Sequence, residues 1–231
     1  MFEFVSKKEV SLARNEIEPI IHKVQNYLRK NNIMTFQYYL IGSASNRRHL
    51  VTKIIGGNKG FDMDYNIIIK SINKVYDDAE KTKHILMETF NKFLLKGFKN
   101  CEDSSSVFTI KKIDKQNSKI IYSFDFAIVN YYNEDIQNPD FDYDYDYDDP
   151  EDKYETIERQ EYIYFDKQNN KYFWKLRPIA FDDHRYKEQY VKEEGLWNEL
   201  RYLYLKQKNN QQTKKSRIIY YETLNQLFQK Y

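Results

Sequence analysis

LIGSASNRRHLVTKIIGGNKGFDMDYNIIIK, residues 40–70, carries two aspartates, Asp62 and Asp64, immediately before an apolar run from Tyr65 to Ile69. The run is β-prone and too short for a buried helix, so it reads as a core strand. Successive strand side chains point to opposite faces, which places both carboxylates on one face, roughly 7 Å apart at the backbone. Like charges held that close raise each other's pKa unless a cation sits between them. Hard carboxylate oxygens suit Mg²⁺ or Mn²⁺, the ions that assist displacement at phosphorus. Four of the six glycines fall between residues 42 and 60, where scarce glycine implies unusual torsions or close approach of the backbone.

Working outward, Phe36 to Ile41 reads as a strand that stops at Gly42-Ser43, with Asn46 capping a short helix to about Ile55. Upstream, Ile17, Ile20, Ile21, Val24 and Leu28 recur at helical spacing, so residues 6–31 form a long amphipathic helix that Pro19 bends. Downstream, residues 77–97 are helical. Residues 106–113 and 119–129 make a hairpin across Asp114 to Asn117, and residues 160–166 and 171–177 make a second across Lys167 to Asn170. Residues 182–208, broken at Gly195, and 213–231 are helical again. The expected class is α/β in the broad sense (α+β), with a mixed-sheet core, a leading helix and a helical tail. The expected division is a core over 1–135, an acidic linker or loop over 136–160, and a hairpin plus helical region over 161–231.

With 41% hydrophobic residues among 231, the chain can bury a sizeable core. One cysteine, Cys101, excludes an internal disulfide framework and a cysteine-rich zinc site. No apolar run reaches the length of a membrane span, and the first ten residues lack the apolar stretch of a leader, so a cytoplasmic protein without membrane contact is expected. Residues 134–161 hold thirteen Asp and Glu against Lys153 and Arg159, a local charge of −11 in a chain of net charge +2. The remainder is therefore basic, which suits a phosphate-bearing partner. The alternating FDYDYDYDDP, residues 141–150, lies between prolines with no aliphatic run behind it. It reads as a solvated loop rather than a metal site.

A third carboxylate joins the first two. In KIIYSFDFAIVN, residues 119–130, Asp125 interrupts an apolar strand, where an ionised side chain needs a partner. Alone, it would read as the acceptor of a backbone or lysine hydrogen bond; with Asp62 and Asp64 it reads as a ligand.

A strand ending in Gly42-Ser43, then a strand with Asp62-x-Asp64, then a strand with Asp125 between apolar residues, resembles the polymerase-β-type nucleotidyltransferase superfamily over about residues 36–130. The opening helix and the long interval from Ser43 to Asp62 are more similar to its oligoadenylate-synthetase and cyclic-dinucleotide-synthase branch. Phe61 stands where the family often has a small hydroxyl residue. The segments GLWNELRYLYLKQKN and SRIIYYETLNQ also resemble the tails of small nucleotidyltransferase-domain proteins of Gram-positive bacteria. The resemblance implies a magnesium-dependent enzyme in which Asp62, Asp64 and Asp125 are catalytic and hold Mg²⁺ or Mn²⁺. It implies further that Gly42 and Ser43 bind the phosphates of a nucleoside triphosphate. Arg47, Arg48 and Lys53 follow the turn within reach of phosphate. The reaction would move a nucleoside monophosphate to a hydroxyl acceptor, whether RNA, protein or a small molecule, and release pyrophosphate. The alternative is an inactive module of the same fold that binds nucleic acid or a protein partner; the oligomeric state is left open. In the tail, Lys206, Lys208, Lys214, Lys215 and Arg217 alternate with Tyr202, Tyr204, Tyr220 and Tyr221, a pattern of either base stacking or core packing.

Overall fold

The computed structural model describes residues 1–45, 48–70, 78–137, 154–177 and 183–231. Strand β1 (Phe2–Phe4) leads into helix α1 (Lys7–Lys30). Ser6 caps α1: its hydroxyl accepts from the Glu9 N–H at 3.2 Å, and the Glu9 carboxylate accepts from the Ser6 N–H at 3.1 Å. These reciprocal bonds satisfy donors the first turn would otherwise leave open. Pro19 lies inside the helix, and the apolar stripe from Ala13 to Leu28 is buried. Strand β2 (Thr35–Ile41) ends in a single 3-10 turn, Gly42–Ala44, followed by β3 (Thr52–Ile54) and β4 (Phe61–Lys70). Helix α2 (Ala79–Phe93) precedes β5 (Glu102–Asp103), β6 (Phe108–Asp114), β7 (Lys119–Gln137), β8 (Tyr154–Asp166) and β9 (Lys171–Leu176). Helices α3 (Asp183–Glu193), α4 (Trp197–Asn210) and α5 (Ser216–Lys230) complete the order.

Seven strands form one mixed sheet in the order β2-β4-β7-β6-β5, with β8 on β7 and β9 on β8. Among the described residues only β4 and β7 run parallel, and the helix between them covers one sheet face. That face is apolar: Met63, Tyr65 and Ile67 of β4, Phe124 and Phe126 of β7, and Phe108 and Ile110 of β6 pack with the stripe of α1 and with Leu86 and Phe90 of α2. The opposite face carries the intervening residues, the aspartates among them.

A second apolar cluster joins α3, α4 and α5 through Val191, Leu200, Tyr204, Ile219, Leu224 and Leu227, and it takes in Leu50 from the loop after the glycine turn. Leu50 is tied to that turn by its N–H, which donates to the Ser43 carbonyl at 2.8 Å. At the other end of α4, the Asn209 side chain brackets Phe2: it accepts from the Phe2 N–H at 2.6 Å and donates to its carbonyl at 3.1 Å. The helical lobe is thus fastened at two places, the loop after the glycine turn and strand β1.

Two expectations are corrected. The helix from Asn46 to Ile55 does not form: residues 52–54 are strand β3, paired antiparallel with β1. Val51, Thr52, Ile54 and Ile55 are β-branched and lose rotamer freedom in a helix, while β1 offers them a ladder. Nor is the whole acidic stretch a linker. Residues 134–137 continue β7 and residues 154–161 belong to β8, paired from Glu134↔Ile157 to Asn130↔Glu161. Residues 138–153, with the alternating aspartates, lie outside the described residues.

One glycine seats the sequence that introduces the aspartates. Gly60 has φ +57°, and a Cβ there would lie 2.2 Å from the Ile121 carbonyl oxygen on β7. Gly56 has φ +68° and open space around it. Gly56→Ala therefore costs only the left-handed penalty, about 1 kcal/mol, whereas Gly60→Ala adds a backbone collision and costs about 3 kcal/mol or more. Urea denaturation of the two variants checks this; equal losses would mean that the approach to β7 is relaxed in solution.

Candidate active site

The register of β4 and β7 sets Asp64 directly beside Asp125, and Asp62 beside Ser123. All four side chains stand on the open sheet face. On the other edge of β4, Ile41 of β2 pairs with Asp64, so the chain leaves β2 and turns immediately next to that carboxylate. Gly42 makes the turn with φ +66°, and a Cβ there would lie 2.8 Å from Asp64 Oδ2. A side chain at position 42 would meet both a strained backbone and the carboxylate. The glycine clustering in the sequence reflects this approach.

Each aspartate has a different surrounding. Burial, with the charges of Asp125 and then Asp62 beside it, pushes the Asp64 carboxyl up to about 6. Burial also raises Asp125, opposed by the Thr109 hydroxyl, which donates to its Oδ1 at 2.5 Å. Asp62 is exposed and accepts from the Ser123 hydroxyl. Among the described residues no ion pair reaches any of the three. Nor does any group of three or more His, Cys, Asp or Glu side chains among those residues already close around one point. The arrangement is an open row of carboxylates with unrelieved repulsion and hard oxygen donors, and such a donor set fits a divalent cation of the magnesium type.

The row faces a cavity of about 470 Å³ between the sheet and the helical lobe. Gly42, Ser43, Asp64, Asp125 and Ala127 form its sheet side. Tyr204 of α4 and Ser216, Arg217, Tyr220 and Tyr221 of α5 form the opposite wall, with Arg48 and Arg177 also lining it. Tyr220 is fixed by a network around Glu188 of α3, which accepts from the Tyr220 hydroxyl at 2.6 Å, from Arg48 at 2.8 Å and from Lys192 at 2.5 Å. Burial pushes Glu188 up, but hydrogen bonds from Lys192, Tyr220 and Arg48 outweigh it and bring the carboxyl to about 2. The Arg48 guanidinium lies over the Tyr220 ring, 4.6 Å from its centroid. Tyr221 is held from behind by His184, whose ring stacks on it at 3.9 Å and 7°.

Two further cations lack a carboxylate partner among the described residues. Lys208 of α4 donates to the Ser216 hydroxyl at 2.6 Å; burial lowers its pKa, with the charge of Asp62 opposing. Arg177 donates to Gln160 Oε1 at 2.6 Å, and burial lowers its pKa as well. Arg177 lines the cavity half-buried and without a carboxylate partner among the described residues, which makes the cavity receptive to an anion.

Gly42, Ser43, Asp64 and Asp125 thus meet at one cavity, and Asp62 shares their face at its edge. Lys53 does not join them. It sits on β3 and pairs with Glu9 at 2.6 Å and Glu3 at 3.6 Å, because β3 belongs to the small β1–β3 sheet rather than to a helix behind the turn. Arg47 lies outside the described residues. The alternation of basic and aromatic residues in the tail signalled Tyr204, Lys208, Arg217, Tyr220 and Tyr221, some of which serve the cavity and the core at once. Arg177, at the end of β9, had no signal in the sequence.

No family model matches the chain, and neither does any curated protein. Solved structures do. DncV of Vibrio cholerae in its GTP-bound form is 12% identical with a TM-score of 0.50, over 96% of this chain and 52% of that one. The same cyclic AMP-GMP synthase in complex with the linear intermediate 5′ pppA(3′,5′)pG is 13% identical with a TM-score of 0.50, over 96% and 53%. The CD-NTase CdnG of Bradyrhizobium diazoefficiens in complex with GTP is 11% identical with a TM-score of 0.43, over 73% and 39%. The chain spans about half the length of the DncV structures it matches. At such identity the likeness speaks for the fold alone: the chain is an α+β protein that shares the fold of the DncV structures.

Proposed function

We propose that the protein is a divalent-metal-dependent nucleotidyltransferase that moves a nucleoside monophosphate from a nucleoside triphosphate to a hydroxyl acceptor. The observation that carries this reading is the row of Asp62, Asp64 and Asp125 on adjacent parallel strands, backed by the Gly42 turn and facing a cationic cavity. GTP in one DncV structure and a linear dinucleotide in another support a nucleoside triphosphate as the donor.

The Gly42-Ser43 turn offers backbone N–H groups and the Ser43 hydroxyl to the triphosphate, at the side of the cavity next to Asp64. Lys208, steadied by Ser216, and Arg217 supply positive charge from the helical wall. Tyr221, backed on one face by His184, offers its other ring face to the base. Asp62, Asp64 and Asp125 would hold Mg²⁺ or Mn²⁺, which when bound neutralises the triphosphate and makes the acceptor hydroxyl more acidic. The acceptor oxygen bonds to the α-phosphorus as the bond from phosphorus to the bridging oxygen breaks. Pyrophosphate leaves, and Asp125 takes the hydroxyl proton. Positioning and charge complementarity supply most of the acceleration.

The direct test is incubation with each α-labelled nucleoside triphosphate, Mg²⁺ or Mn²⁺, and cellular RNA, protein or small metabolites, followed by identification of what becomes labelled. Absence of any transfer and of pyrophosphate release, with nucleotide still bound, would leave an inactive binding module of the same fold.

The aspartates should divide the work. Asp125→Asn keeps shape and removes one charge, so nucleotide affinity changes little while transfer falls by about 10² or more. Asp64→Asn, beside the glycine turn, weakens both. Calorimetry of nucleotide binding paired with pyrophosphate release reads the split; loss of nucleotide binding in Asp125→Asn as complete as in Asp64→Asn would refute it.

Asp64 also makes a prediction for the metal-free protein. Its folded pKa of about 6 lies above its unfolded value, so protonation favours the fold, and stability from this group declines as pH rises from about 4 through 6. Asp64→Asn should therefore stabilise the metal-free protein at pH 7.5 by on the order of 2 kcal/mol, the advantage fading towards pH 4. Thermal melts across that range, with and without Mg²⁺, measure it; a variant less stable than the parent at pH 7.5 without metal would contradict the repulsion.

A further inference from the structure

The carboxylate face of the sheet does not end at the cavity. Val129 of β7 pairs with Tyr162 of β8, and Tyr131 with Gln160, so their side chains continue the face that carries Asp125. On β9, Lys175 pairs with Tyr162 and Phe173 with Tyr164, which extends the same face by two strands. The result is a strip of Tyr131, Tyr162, Tyr164, Phe173, Lys175 and Arg177. Its aromatic members touch: Tyr162 meets Tyr164 edge-on at 6.4 Å, and Tyr164 meets Phe173 at 5.4 Å. The cations lie over the rings, Lys175 at 4.5 Å from the Tyr164 centroid and Arg177 at 5.5 Å from that of Tyr162.

The two faces of this hairpin are treated differently. The reverse face carries Ile163, Tyr172 and Trp174, which pack on the main core, with Tyr172 against His84 of α2. Among the described residues no helix is packed on the strip face, and Phe173 and Tyr131 stay 42% and 37% exposed. A solvated hairpin face ordinarily carries polar residues, whereas this one presents ring surfaces bracketed by positive charge. It also runs into the catalytic cavity without a break, since Arg177 belongs to the strip and lines the cavity together with Ala127 and Asp125. From Asp125 to Tyr131 along β7 is about 20 Å at roughly 3.3 Å per residue, room for a few stacked nucleotides. Beyond Tyr131 the register reaches Asn133 opposite Glu158, where the acidic stretch begins and a polyanion would be repelled.

The geometry points to this strip as a platform for a single-stranded nucleic acid, whose bases stack on Tyr131, Tyr162, Tyr164 and Phe173 and whose phosphates meet Lys175 and Arg177. Aromatic faces with interspersed cations grip single strands with little regard to sequence, because every base has a ring face and every link a charge. A rigid duplex keeps its bases stacked inside and cannot use the rings. If the transfer reaction proposed above holds, the platform leads a terminal hydroxyl of that strand to Asp125 and makes the strand the acceptor.

Fluorescence anisotropy with labelled single strands of about twelve nucleotides, RNA and DNA in separate arms, tests the platform without any catalysis. The expected result is binding of one or both strands that weakens with salt, with a duplex of the same length competing poorly. Tyr164→Ala combined with Phe173→Ala should weaken it about tenfold or more, and Lys175→Glu alone should weaken it too, while nucleoside triphosphate binding is unchanged in both. The second variant alters only an exposed charge and so guards against a folding defect in the first. Unchanged affinity in both variants, no binding by the parent at low salt, or equal competition by a duplex or an acidic peptide would overturn the proposal. Strand binding through these residues without nucleotide transfer would leave the platform standing and refute the enzyme. Transfer to a small acceptor without strand binding would do the reverse.

Discussion

Asp64 and Asp125 stand side by side on parallel strands, each raising the cost of the other's charge, and much of the structure is arranged to hold them there. Their strands are anchored from behind by a dense aromatic core in which Tyr65 and Phe126 stack at 5.3 Å and Phe126 meets Phe108 at 5.1 Å. The repulsion is therefore borne by packing that cannot slide, since a slip of one residue would turn the whole apolar set of β4 to solvent. The glycine turn belongs to the same constraint: any larger residue at position 42 would push on the carboxylate that the strands hold in place. A site built this way is stiff before any ligand arrives, which favours charge stabilisation over adjustment.

The helical lobe supplies what the sheet cannot. The sheet face offers acceptors, and α4 and α5 bring donors and rings across from it. Its attachment is mostly polar on the cavity side, through Glu188, Arg48 and Tyr220, and apolar beneath, through Leu50. Glu188 connects three elements, so the position of the Tyr220 ring depends on a carboxylate that touches neither sheet nor nucleotide. The Glu188 side chain is only 12% exposed and receives charge-assisted or hydroxyl hydrogen bonds from three residues, so the network fixes orientation as well as holding the lobe.

Much of the sheet was legible because β4 and β7 are unmistakable in composition, and because an aspartate in an apolar strand has few explanations. Period-two alternation puts Asp62 and Asp64 on one face, while Gly42, Ser43 and the role of Asp125 follow from the family resemblance. The expected helix to Ile55 fails because Asn46 looks like a cap, whereas the three residues of β1 capture Thr52 to Ile54 in a ladder. Charge density hid the strands at 134–137 and 154–161 for a similar reason: composition reports hydration, and pairing partners are not local information. Arg177 follows the last strand of a hairpin whose packing on β7 no residue nearby announces. The tail tyrosines were ambiguous between core and cavity because several are both, buried on one flank and lining the cavity on the other.

The bracket that Asn209 places around Phe2 joins residues 207 positions apart. Nearly the whole chain must therefore be present before this fastening can close, and the cluster that gathers Leu50 with helices α3 to α5 waits on the final helix. Contacts of such long range are made late, because the loop entropy they cost is recovered only when they form. During synthesis the sheet with its carboxylates can assemble on α1 and α2 while the opposite wall is still unmade. The wall that α5 supplies is synthesised after every strand of the sheet, so a chain cut before α5 carries the acidic row without Ser216, Arg217, Tyr220 and Tyr221 facing it.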